Sequence, residues 1–124
     1  MELVFKGEYI AKNDEEYFNM VVRIFSEAFI YDRDYHLTNR ELELLYCAFK
    51  AIKNGRRNIL DRQVIREYFQ PFGKKQTVQI WLPKVVDKLF LVNRGDDYYI
   101  NGDLEKLIKM NNTEFSLKIV ESGD

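Results

Sequence analysis

Cysteine and histidine each occur once in this chain, as Cys47 and His36. One cysteine excludes an intramolecular disulfide and a thiolate metal cage, and one histidine leaves no imidazole pair to hold a metal. Neither has a nucleophile or base partner at a recognisable spacing. Cys47 therefore reads as a small buried hydrophobe, and His36 as a surface or capping residue. Glycine-rich phosphate loops are lacking, and the carboxylate pairs Glu15-Glu16 and Asp96-Asp97 are ordinary surface features. The chain is read as non-enzymatic, without cofactor or metal. No apolar run approaches the ~20 residues of a membrane span. Met1-Glu2-Leu3-Val4 lacks the basic start and long apolar core of a secretory signal, so a cytoplasmic location is expected.

What is present suits one soluble globular domain over residues 1–124, with 46% hydrophobic and 31% charged residues around a modest core. Aromatics reach 15%, so the core or an interface must be rich in them, and self-association is expected. Leu3 and Phe5 alternate with polar residues as in a short strand. Asn13 or Asp14 can cap a helix from about Glu15 to Phe29, with Tyr17, Met20, Val21, Ile24, Phe25 and Ala28 inward. Thr38-Asn39-Arg40-Glu41 is a capping box, with Leu37 and Leu42 placed as a hydrophobic staple. The helix it opens turns Leu45, Tyr46, Phe49 and Ile52 inward and ends at Asn54-Gly55. Asn58-Ile59-Leu60 is expected to be a small strand. After Ile100, Asn101 or Asp103 caps a helix carrying Leu104, Leu107 and Ile108. Phe115, Leu117 and Ile119 then predict a last strand, pairing with the first or with another subunit.

Between these lies the stretch from Leu60 to Ile100. Asp61 is placed to cap a short helix to Phe69, with Ile65, Tyr68 and Phe69 inward, and Pro71 and Gly73 turn the chain. A second helix is predicted over Gln76–Leu89, because Val78, Leu82, Val85 and Leu89 share one helical face. Gln76, Gln79, Lys84 and Asp87 lie opposite. Pro83 either kinks this helix or starts it, and the continuing apolar spacing favours the kink. Leu91 to Ile100 reads as a tight hairpin.

Net charge is −1, but it is unevenly distributed. From Lys53 to Arg94 ten basic residues face three acidic ones, a net of +7, and the segments on either side carry −4 each.

Helix, turn, helix, hairpin is the order of a winged helix-turn-helix domain, and Thr38–Asn101 resembles that superfamily. The segment from Thr77 to Val92 is similar to the recognition helix of small winged regulators, which runs through a Leu and a short break into an apolar strand. Those proteins commonly carry Gly where Phe90 stands and lack a proline in mid-helix. The expected fold class is mainly α with a small β-sheet (α+β). Its winged core would span 38–101, with a strand-helix extension over 1–37 and a helix-strand extension over 102–124.

The resemblance implies a DNA-binding protein, a transcriptional regulator or replication factor, whose second helix Gln76–Leu89 meets the duplex. Arg56, Arg57, Lys74, Lys75, Lys84 and Arg94 are then the phosphate-contacting cations, where most of the affinity would arise. Gln76, Thr77 and Gln79 stand where base edges are read: glutamine pairs with adenine and threonine touches the thymine methyl. Two features oppose this reading. Asp96 and Asp97 fall at the hairpin tip, where they would repel phosphate, and one of Ile80 and Trp81 must point outward, as a protein partner would require. The alternative is therefore a winged-helix interaction or assembly component, such as a phage virion or adaptor protein, that binds a protein partner or its own copies.

Thr38→Ala is expected to destabilise the protein by about 0.5–2 kcal/mol through loss of the capping oxygen. A chemical-denaturation midpoint unmoved by that substitution would place the helix start elsewhere.

Overall fold

The computed structural model describes residues 13–30 and 32–110. Within them five α-helices and a two-stranded antiparallel sheet form the secondary structure, so the protein is mainly helical with a small β component. The strands expected at Leu3–Phe5 and Phe115–Ile119 lie outside the described residues. No helix among the described residues is long and apolar enough to cross a membrane. The chain divides into two compact units, one of residues 32–101 and one combining the segments before and after it.

In the second of these, α1 (Asp14–Phe29) packs on α5 (Gly102–Met110). Asn13 caps α1, its Oδ1 accepting from the Glu16 N–H at 2.9 Å, and Asp14, Glu15 and Glu16 place negative charge at the positive helix end. The buried stripe differs from the expected one: Phe18, Val22 and Ser26 join Val21, Ile24 and Phe25, while Tyr17, Met20 and Ala28 are only half-buried. The helix face that packs inward is centred nearer the wholly apolar Phe18 than the hydroxyl-bearing Tyr17. The buried Ser26 hydroxyl donates to the Val22 carbonyl at 2.9 Å, so it carries no unpaired polar atom inward. On α5, Leu104 and Leu107 are buried.

The 32–101 unit begins with a single 3-10 turn, Arg33–Tyr35, and continues through α2 (Asn39–Lys53), α3 (Arg62–Tyr68) and α4 (Lys75–Asp87). Both hydrogen bonds of the capping box are made at the start of α2: Thr38 Oγ1 accepts from the Glu41 N–H, and Glu41 Oε1 accepts from the Thr38 N–H at 2.8 Å. The helix turns Leu44, Leu45, Cys47, Ala48, Ala51 and Ile52 into the core, whereas Tyr46 and Phe49 are half-buried. Small residues at 47, 48 and 51 let α3, α4 and the hairpin approach this face. At its end Gly55 takes φ +80, and its N–H donates to Ile52 while that of Arg56 donates to Ala51, the paired bonds of a Schellman cap.

No strand forms at Asn58-Ile59-Leu60. The Asp61 N–H instead donates to the Asn58 carbonyl at 3.1 Å, a turn that delivers Asp61 to cap α3 and buries Ile59 completely. Asp61 Oδ1 accepts from Gln63 N–H at 2.9 Å and Val64 N–H at 3.4 Å. Val64, Ile65 and Phe69 fill the core beneath, and Tyr68 is half-buried.

Helix α4 runs through Pro83 rather than starting there. The missing donor leaves the Gln79 carbonyl without its helical partner, at a cost of ~3 kcal/mol. Both residues are solvent-exposed, where water can serve that carbonyl. Val78, Leu82 and Val85 are buried on either side of the proline, and at roughly 1.5–3 kcal/mol each they outweigh the loss.

The helix ends at Asp87, two residues before Leu89. Leu89 is therefore no part of the buried stripe: it is 61% exposed and takes φ +73. It is the one non-glycine residue with positive φ among the described residues. A second Schellman pair forms here, with Leu89 N–H donating to Val86 and Phe90 N–H to Val85. The position that asks for glycine is thus Leu89 and not Phe90, which is fully buried. Asn101 clamps the reversal, its Nδ2 donating to the Leu89 carbonyl at 2.8 Å and its N–H to the Phe90 carbonyl at 3.0 Å.

Strands β1 (Leu91–Arg94) and β2 (Asp97–Ile100) pair in register Leu91↔Ile100 to Arg94↔Asp97. They are joined by the two residues Gly95 and Asp96. Gly95 has φ +66 and Asp96 does not go positive, which is the sign pattern of a II′ turn. Leu91, Tyr98 and Ile100 are buried, while Val92, Arg94 and Tyr99 occupy the opposite face of the hairpin.

A left-handed leucine costs roughly 1–2 kcal/mol, and glycine gives part of that back in unfolded-chain entropy. Leu89→Gly is therefore expected to stabilise the protein by about 0.5–1 kcal/mol. A lower thermal midpoint for the variant would mean that the leucine side chain makes contacts worth more than its strain.

Candidate nucleic-acid interface

The start of α4 is held by the turn before it. The Phe69 N–H donates to the Ile65 carbonyl at 2.9 Å, and the Phe69 carbonyl accepts from Phe72 N–H at 2.9 Å and Gly73 N–H at 3.2 Å. Phe72 is buried against Phe69, with ring centroids 6.4 Å apart. Arg40 of α2 covers the other side: its guanidinium lies 3.9 Å from the Phe72 ring centroid, pairs with Glu43, and donates to the Pro71 carbonyl at 3.2 Å. The turn is thereby tied to α2, which fixes where α4 begins.

Lys74 occupies the N-cap position of α4 in an extended conformation, with no side-chain capping bond. Lys75, Gln76 and Gln79 are exposed, and the first turn holds no acidic residue. Neither Lys74 nor Lys75 has a carboxylate partner among the described residues. Thr77 is half-buried, its N–H donating to the Lys74 carbonyl at 3.1 Å. Ile80 is 62% exposed, on the face opposite Val78, Leu82 and Val85. Trp81 is half-buried, and the Lys84 ammonium sits 4.3 Å from its ring centroid. Of the two apolar residues in question, Ile80 is the outward one.

A second group gathers at the hairpin. Arg57 and Arg94 bring their guanidinium groups to 5.3 and 5.7 Å from the centroid of Tyr99. The Arg57 carbonyl also accepts from the Tyr98 N–H at 2.9 Å, which ties the segment before α3 to the outer edge of β2. Beside it an open cleft of about 320 Å³ is lined by Arg56, Arg57, Asn58, Asp61, Gln63 and Asp97 among others. Its two cations face two carboxylates, one of them already committed as the α3 cap. Arg56 is also engaged, 3.4 Å from Glu67, but an exposed pair of this kind is worth at most ~1 kcal/mol and releases its cation readily.

No family model, curated protein or solved structure matches this chain. The site therefore stands on its own residues.

Lys88 is the cation that leaves the basic segment. Its ammonium donates to Glu41 Oε1 at 2.7 Å and to the His36 carbonyl at 3.0 Å, with the Glu41 side chain only 4% exposed. Burial pushes the Glu41 carboxyl up, but the hydrogen bonds from Lys88 and Thr38 overcome it and hold the group below its ordinary value. At the hairpin, burial followed by the nearby charge of Asp96 raises the Tyr98 phenol, whose oxygen accepts from Asn93 Nδ2 at 3.3 Å. Sequence reading missed the role of Tyr99, although alternation in the hairpin puts it on one face with Arg94. Nothing in the sequence signalled the Lys88–Glu41 pair, because its members are 47 residues apart.

The Glu41 carboxyl has a folded pKa below its unfolded one, so its stabilisation is present above the unfolded value and lost as pH falls through the folded value. Glu41→Gln is expected to cost roughly 1.5–3 kcal/mol at neutral pH, the range for hydrogen bonds to charged groups. The gap between the variant and the parent should close as pH drops below the ordinary carboxylate value of 4.5. Parallel stability curves from pH 7 to pH 3 would show that the charge of Glu41 contributes nothing.

Proposed function

We propose that residues 38–101 form a winged helix-turn-helix core that binds duplex DNA, with α4 as the helix that enters the major groove. The observation that carries this reading is the exposed face of α4. It offers Lys74, Lys75, Gln76, Gln79 and Lys84 with no opposing carboxylate before Asp87 and no side-chain cap over its first N–H groups. Such a helix start favours phosphate both by its free donors and by its dipole. The order α2, α3, α4, β1, β2 supports it, as does the turn that Arg40 and Phe72 hold between α3 and α4. Arg57 and Arg94, gathered at Tyr99, would add phosphate contacts from the hairpin. A cytoplasmic regulator or replication factor is the corresponding role.

Asp96 favours a second reading. It is exposed at the turn of the hairpin, where a phosphate backbone would be repelled. Together with the exposed side chains of Ile80 and Leu89, it suits a virion or adaptor component that docks on protein.

Binding to a duplex should weaken steeply with salt, because each neutralised phosphate adds about −0.9 to the slope of log K against log salt. Replacing Lys74 and Lys75 by Ala should flatten that slope by about two units and weaken binding to all sequences alike. Gln76→Ala or Gln79→Ala should change sequence preference and leave the slope nearly intact. If fluorescence anisotropy detects no salt-sensitive duplex binding at low ionic strength, the assembly reading replaces this one.

A further inference from the structure

Ile80 is the most exposed large apolar side chain among the described residues, at 62%. Its place on α4 is specific. Val78, Leu82 and Val85 define the buried stripe, and at 3.6 residues per turn Ile80 falls on the side facing away from it. Gln76 lies one turn before it and Lys84 one turn after, both exposed, with Gln79 alongside. Thr77, the other residue with a methyl group to offer, is half-buried at the edge of this face. The branched aliphatic group therefore occupies the centre of a surface whose other members before Asp87 are amides, lysines and Pro83.

That arrangement separates two kinds of partner. A protein-binding helix lays down apolar anchors at successive turns, i, i+3, i+4 and i+7. Here the positions one turn on either side of Ile80 are Gln76 and Lys84, so a single aliphatic group stands inside a polar, positively charged frame. In the major groove the one apolar feature of a base edge is the C5-methyl of thymine, beside the N6 and N7 of its adenine partner. A lone branched side chain next to amides matches that pattern, and the flanking lysines match the phosphates on either side.

We propose that Ile80 is a specificity-determining residue that contacts thymine methyl groups in the major groove, with Gln76 or Gln79 reading the paired adenine. This rests on the DNA-binding reading above and adds its base preference.

The test uses the full chain and two duplexes of about 20 base pairs with one alternating A·T sequence, in one of which every thymine is replaced by deoxyuridine. The two differ only in the C5-methyl groups. The wild-type protein should bind the deoxyuridine duplex about three- to fourfold more weakly for each methyl contacted. Ile80→Ser, at an exposed position, should keep the thermal midpoint and the salt slope of the wild type while binding both duplexes equally. Equal binding of the two duplexes by the wild-type protein overturns the proposal and leaves DNA binding standing. Discrimination that survives in Ile80→Ser also overturns it, assigning methyl recognition to another residue such as Thr77. Failure to bind either duplex at low salt removes the DNA-binding reading itself, and this inference with it.

Discussion

The ion pair between Glu41 and Lys88 joins the first turn of α2 to the residue that caps the end of α4. Glu41 is shared two ways, closing the capping box with Thr38 and accepting from Lys88, and it lies almost wholly buried. A buried pair of this kind contributes little net stability, because desolvation offsets most of the attraction, yet removing one partner is costly. Its consequence is positional. With Lys88 also donating to the His36 carbonyl, the end of α4 is held against the entry to α2. The hairpin that follows starts from a defined point.

The same end of α4 carries the strain of the fold. Lys88 is pinned on one side and Asn101 clamps Leu89 and Phe90 on the other, so the chain must reverse within one residue. Leu89 takes up that reversal in a left-handed conformation while Phe90 and Leu91 turn inward and are almost completely buried. Burial of those two side chains, at roughly 1.5–3 kcal/mol each, exceeds the roughly 1–2 kcal/mol of a left-handed leucine. The opposite end of α4 is held by Arg40 over Phe72. Two attachments to α2, one at each end, thus fix the placement of α4 against α2.

The basic segment divides its charges by use. Lys74 and Lys75 stand clear of any described carboxylate, Lys84 lies over Trp81, and Arg57 and Arg94 converge on Tyr99. Lys88 is consumed by the core. The excess positive charge of residues 53–94 is therefore partly structural, and the share available to a polyanion is smaller than the sequence total. Asp96 remains opposed to that use, and its field is felt within the hairpin by Tyr98.

Local chemistry was legible from the sequence wherever a bond closes within a few residues. The capping box at Thr38, the cap at Asp61 and that at Asn13, for which Asp14 is the alternative by sequence, follow from side chains reaching their own backbone neighbours, whereas Gly55 and the turn at Gly95-Asp96 follow from glycine's freedom at positive φ. The stripe Val78, Leu82 and Val85 was equally readable, because burial of one helical face repeats with the helix. Tertiary structure alone decided the rest. It extended α4 through Pro83 yet stopped it at Asp87, since the Lys88–Glu41 and Asn101–Leu89 contacts act between residues 47 and 12 positions apart. It made a turn of Asn58-Ile59-Leu60, in which Ile59 is buried and the Asp61 N–H donates to Asn58, while the Arg57 carbonyl accepts from Tyr98 of β2. The stripe of Val78, Leu82 and Val85 itself places Ile80 on the opposite side of the helix, and tertiary packing decided how far Trp81, at the edge of that face, is covered.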